Sequence, residues 1–84
     1  MSYFVYLLQS QKDQTFYIGQ SNDPISRLAK HNAAQTGYTS RKQPWEIVYL
    51  EEFRSRAEAI KRERFFKKQK NTNFYLKLIH NWPG

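Results

Sequence analysis

The chain has 84 residues, of which 17% are aromatic and none is cysteine, and its net charge is +7. That length allows one domain with a modest core filled by bulky aromatic side chains, and the lack of cysteine excludes disulfide staples and thiolate-held zinc. No apolar run approaches the roughly 20 residues needed to cross a membrane, and no basic segment precedes an apolar one at the start, so a cytoplasmic protein without a secretory signal is expected.

Tyr3 to Gln9 is rich in β-branched and aromatic residues and reads as a strand. A polar turn at Lys12-Asp13-Gln14 leads to a second strand from Thr15 to Gln20, and the two predict a hairpin. Next comes Ser21-Asn22-Asp23-Pro24. Asp23 has the short acidic side chain that caps a helix, and Pro24 suits the first helical position, where a missing N–H costs nothing. The first helix is expected from Asp23 to about Ala34. Gln35 to Pro44 reads as a polar loop holding Gly37, Tyr38-Thr39 and Arg41-Lys42, and Trp45 to Phe53 as a third strand. Ser55 caps a helix from about Arg56 to Lys70, with Glu58 completing a capping box. Thr72 is expected to cap a last helix through about His80, ended by Trp82-Pro83-Gly84. The order β-β-α-β-α-α predicts an α+β fold over residues 1–84, a small three-stranded, mostly antiparallel sheet with helices packed on it. No repeat or interdomain linker interrupts it.

Charge is spread unevenly. Residues 1–50 carry a balance of +2 and residues 51–84 a balance of +5, with the excess between Arg54 and Lys70 among Phe53, Phe65 and Phe66. A basic stripe of this kind is the electrostatic footprint of a nucleic-acid binder, because neutralised phosphates release counterions. A solvated helix face would carry the same charge. The stripe lacks the wide Leu/Trp face of a membrane-surface helix, which argues against a membrane partner.

Several side chains within this frame suit phosphate-ester chemistry. Arg27 and His31 are four apart and share a helix face. Arg27 offers a planar, permanently charged fork for two phosphate oxygens, and its charge disfavours protonation of the nearby imidazole. Tyr6 and Tyr17 lie on neighbouring strands, where either would also serve as plain core. At about 100° per residue, Glu63 falls between Ala59 and Ile60 and close to Phe66, so its carboxylate projects from the protein-facing side of its helix. A carboxylate placed there is expensive unless paired, with Arg27 or Lys67 for example, or bound to a cation. Gly19 either lets backbone or substrate approach closely or marks a strand bulge.

In order and spacing, these pieces resemble the GIY-YIG nuclease domain. Its first-strand motif is matched by Phe4-Val5-Tyr6, its second by Tyr17-Ile18-Gly19, its Arg-x-x-x-His helix by Arg27 and His31, and its glutamate helix by Glu58 to Lys68 around Glu63. The likeness runs from about Tyr3 to Lys70, leaving residues 71–84 as a short helix and tail. It departs from the pattern at Phe4, where the eponymous glycine would stand, and in lacking a well-spaced late asparagine, for which Asn71 and Asn73 are the nearest candidates. The resemblance implies an endonuclease that hydrolyses phosphodiester bonds, most readily in DNA, with one Mg²⁺ or Mn²⁺ on Glu63. It assigns Tyr17 to the attack on phosphorus as base or water aligner, Tyr6 to a hydrogen bond beside it, Arg27 to the scissile phosphate and His31 to a supporting role. A free tyrosine of pKa about 10 is ionised only about one part in a thousand at pH 7, so use as a base requires help from its surroundings. Gly19, Arg41, Lys42, Lys61, Arg64, Lys67 and Lys68 are expected to contact the nucleic acid. Specificity would come from DNA structure or from a partner protein. The alternative expectation is a nucleic-acid-binding module that keeps this fold without the chemistry.

Overall fold

The apolar run after Tyr3 becomes the middle strand of a sheet, which explains why it is continuous rather than alternating. In the computed structural model, which describes residues 2–83, β1 spans Tyr3–Ser10, β2 Phe16–Ser21 and β3 Trp45–Phe53. The strand order is β2-β1-β3, and both pairings are antiparallel. A central strand is covered on both faces, so Val5, Tyr6, Leu7 and Leu8 are all buried. Val5 and Leu7 pack with Ala59, Phe66 and Tyr75 on one face, while Tyr6 and Leu8 pack with Trp45, Tyr17 and Leu28 on the other.

Three helices supply those covers: α1 (Pro24–Ala33), α2 (Arg56–Gln69) and α3 (Thr72–Asn81). Leu28 brings α1 to the Tyr6 face, and Ala59, Phe66 and Tyr75 bring α2 and α3 to the Val5 face. Asp23 caps α1 as the sequence predicts, its carboxylate accepting from the Ser26 N–H at 3.1 Å, with Pro24 at the first helical position. At the other end of α1, the Gln43 amide donates to the carbonyls of His31 (2.8 Å) and Ala34 (2.9 Å). Asn32 bridges to the start of β3 in both directions, accepting from the Trp45 N–H at 2.6 Å and donating to its carbonyl at 3.0 Å. These bonds pin the helix that carries Arg27 and His31 to the sheet.

Three details differ from the sequence reading, and the capping box of α2 forms as expected. A short 3-10 helix, Thr39–Lys42, interrupts the expected loop. The capping box of α2 closes through the Ser55 hydroxyl, which accepts from the Glu58 N–H (3.2 Å) and donates to the Glu58 carboxylate (3.0 Å). Asn71, not Thr72, caps α3, accepting from the Asn73 N–H at 3.0 Å. The left-handed Lys70 (φ 45°) turns the chain so that Asn71 takes the extended cap position, where asparagine is at least as effective as threonine. Phe66 is fully buried rather than part of the basic stripe, because it points at Val5 and Leu7 while Phe65 remains 44% exposed. Gly84, the expected terminator, lies outside the described residues. No helix among the described residues is long and apolar enough to cross a membrane.

Candidate active site at the edge of the sheet

Tyr6 and Gly19 face each other across the β1–β2 pairing. The Tyr6 ring lies directly over the glycine. A Cβ at position 19 would stand 2.3 Å from the Tyr6 Oη and 2.5 Å from its Cζ, closer than any real contact. The room left by the missing side chain is therefore filled by the Tyr6 ring. Two residues earlier, Tyr17 packs on His31 with ring centroids 4.7 Å apart and on Trp45 at 6.0 Å. Helix α1 thus delivers His31 against one phenol and Arg27, one turn earlier, beside the other.

The electrostatics follow from that packing. Burial pushes the Tyr6 hydroxyl above its usual pKa, Tyr17 and Glu63 push the same way, and the Arg27 guanidinium within reach of the hydroxyl opposes them. Tyr6 is therefore a neutral hydrogen-bond donor near pH 7. Burial, and secondly the charge of Arg27, hold His31 below the ordinary histidine value. Its ring is neutral at pH 7 and able to accept a proton. In the window between that lowered value and about 6.5, the unfolded chain binds more protons than the folded one, so acidification through it costs stability.

Glu63, on α2, bears on this cluster through its charge, the weakest of the influences on Tyr6. Its carboxylate is 18% exposed and pairs with Lys67 at 2.9 Å, so of the two partners the sequence allows, the structure selects the one a helical turn away. Lys67 lines a hollow of about 280 Å³ with Phe16, Tyr17, Ile18 and Tyr75, which places this pair at the β2 edge next to Tyr17. Among the described residues no three metal-capable side chains cluster. A lone, mostly buried carboxylate does not suit zinc, which takes four protein ligands in structural sites and three in catalytic ones. It does fit Mg²⁺, which keeps several waters and takes one or two carboxylates. Lys67 would have to release the carboxylate, which costs little for a lysine that is 56% exposed.

The remaining expected contacts divide. Lys61, Arg64 and Lys68 are exposed on the outer face of α2 around Ile60 and Phe65. Lys42 is paired with Asp13 in the β1–β2 turn, and that hydrogen-bonded pairing holds the Asp13 carboxyl well below the usual range. Arg41 is exposed beside it, its carbonyl accepting from Lys12 at 3.2 Å. On the opposite flank of α2 from Glu63, Arg62 binds Glu51 at 2.8 Å, and Glu51 also accepts from the Tyr49 hydroxyl at 2.8 Å; burial first and this carboxylate second push Tyr49 up to about 12. Asn71 is spent on the α3 cap. Asn32 and Gln43, which position α1, were missed by the sequence reading because their partners are backbone groups.

The model of the GIY-YIG catalytic domain matches residues 2–76. A UPF0213 protein of Listeria monocytogenes is 39% identical over 77 residues, covering 88% of this chain and 85% of its own length. A UPF0213 protein of Bacillus subtilis is 32% identical over 83 residues, covering 95% and 83%. The solution NMR structure of a UPF0213 protein from Bacillus halodurans superposes with a TM-score of 0.56 at 26% identity, over 95% of this chain and 84% of that one.

Proposed function

Because the chain belongs to the GIY-YIG family, we propose that it is a divalent-cation-dependent endonuclease hydrolysing phosphodiester bonds in DNA. One observation carries the reading: Tyr17 packs on His31 with ring centroids 4.7 Å apart, and Arg27, one helical turn earlier, stands beside the Tyr6 hydroxyl. In this reading the Arg27 fork grips two oxygens of the scissile phosphate and offsets the charge that builds up in the transition state. Tyr6, kept neutral, donates a hydrogen bond beside it. Tyr17 aligns a water in line with the phosphorus, and the proton released passes to the neutral His31 ring packed against Tyr17. Glu63 would hold a Mg²⁺ or Mn²⁺ ion, whose positive charge stabilises the departing oxygen when bound.

The test is incubation of supercoiled plasmid and branched DNA with Mg²⁺ or Mn²⁺, beside EDTA and a Glu63→Ala control. Nicking that needs the metal and is lost in the variant is expected. Equal behaviour of wild type and variant would overturn the nuclease reading. The Lys67 ion pair on Glu63 is the observation that favours the second reading, a DNA-binding module without chemistry. Its signature is binding that weakens steeply with salt and no nicking under any metal.

A pH profile tests the role of His31. The rate should fall on the acid side with an inflection below about 6.5, since protonation removes the acceptor. His31→Phe should be slower and should lack that inflection. An unchanged acid limb in the variant would assign the proton to another group.

A further inference from the structure

A polar cavity next to the candidate site was not foreseen in the sequence. It encloses about 390 Å³ between the end of β2, the first turns of α1 and the start of α2, and its walls include Ser21, Ser26, Arg27, Lys30 and Arg56. Its three cations come from two helices. Arg27 and Lys30 stand three apart on one side of α1, and Arg56 is the first residue of α2. Among the described residues none of the three is in an ion pair. Arg56 instead lies over the Tyr3 ring, 5.4 Å from its centroid. The one acid in the wall, Asp23, is turned to the α1 backbone as its cap. The wall thus carries more positive than negative charge, with the three cations set against the single Asp23 carboxylate, which is held to the helix backbone rather than to any of them.

Arg27 belongs both to this cavity and to the Tyr6 cluster. A phosphate gripped at Tyr6 and an anion in the cavity would therefore share one guanidinium, as adjacent phosphates of a single strand can. We propose that the cavity binds the phosphodiester group next to the one being cut, with Arg56 and Lys30 as its binding residues, and so sets the direction in which the strand crosses the site. This rests on the nucleic-acid reading above, and it assigns the two cations a role that the exposed stripe of α2 does not fill. Lys61, Arg64 and Lys68 line a separate surface on the far side of that helix.

The experiment compares wild type, Lys30→Ala/Arg56→Ala, the charge-reversed Arg56→Glu and the remote control Lys77→Ala. Fluorescence anisotropy with a labelled branched DNA is measured from low to moderate salt, and folding is checked by circular dichroism. Loss of one neutralised phosphate should reduce the slope of log K against log salt by about 0.9 in the double variant, with weaker binding at low salt, and leave Lys77→Ala like wild type. Under single-turnover cleavage the half-saturating protein concentration should rise while the maximal rate changes little, whereas Arg27→Ala, which serves both phosphates, should lower the maximal rate as well. An unchanged slope and affinity in both the double variant and Arg56→Glu, with wild type binding DNA normally, would overturn this inference alone. Failure of wild type to bind any DNA would overturn it together with the nucleic-acid reading.

Discussion

Arg27→Ala is expected to lower the cleavage rate by about 10³-fold, the scale of a lost arginine at a reacting phosphate or of a lost oxyanion donor. Its thermal stability should hold to within about 4 °C, because an exposed helical side chain leaves no cavity when it is shortened. Two electrostatic readouts accompany the loss. Arg27 lowers the pKa values of both His31 and Tyr6, so its removal should move the His31 titration upward, visible as a shifted imidazole resonance in an NMR pH series. Arg27→Lys retains charge but not the fork, so it should restore much of the His31 titration and little of the rate. Should Arg27→Ala cleave like wild type while His31 titrates at a higher pH, the guanidinium would be a spectator of the chemistry. Glu63→Ala provides the complementary loss. Its partner Lys67 is mostly solvated, so removing the carboxylate strands no buried charge and leaves activity as the property that changes.

Local signals account for the elements that the sequence reveals. Asp23 and Pro24 mark the start of α1 because capping and a fixed φ are properties of those residues alone, and Trp45–Phe53 is bounded by the same residues in the sequence and in the sheet. The Tyr, Arg, His and Glu positions are legible as a family pattern. What brings them together is not. The two-way bond between Asn32 and Trp45 joins backbone to side chain across a 3-10 turn, with no composition cue. A helical wheel leaves Glu63 able to pair with Arg27 or Lys67, and only the placement of α2 along the β2 edge decides for Lys67. Lys30 and Arg56 look like ordinary surface cations until two helix starts are seen to share one cavity. Asn71 could be read as a site asparagine, yet its side chain closes a helix. Each of these depends on register or on helix placement, which a linear pattern does not encode.

Gly19 shows the same dependence at one atom. Tyr-Ile-Gly in isolation offers several reasons for a glycine, and the register Tyr6↔Gly19 selects one: the phenol needs the space above the β2 backbone. Gly19→Ala should then be costly in two ways at once. The obstructing atoms are the rigid end of a fully buried ring, so either the ring or β2 must move. Overpacking of this kind costs about 1–3 kcal/mol or more, a fall in melting temperature on the order of 10 °C for a chain of this size. Activity should be lost beyond what the stability change explains, because the displaced hydroxyl leaves the reach of Arg27. The double variants separate the two effects. Tyr6→Phe removes the hydroxyl but leaves the ring carbon 2.5 Å from the new methyl, so it should not rescue the stability of Gly19→Ala. Tyr6→Leu withdraws the whole ring end and should make the pair less destabilising than the sum of its singles, a coupling that a double-mutant cycle of melting curves measures directly. If Gly19→Ala melts and cleaves like wild type, the phenol does not depend on that opening, and the placement of Tyr6 over β2 would have to be given up along with its part in the site.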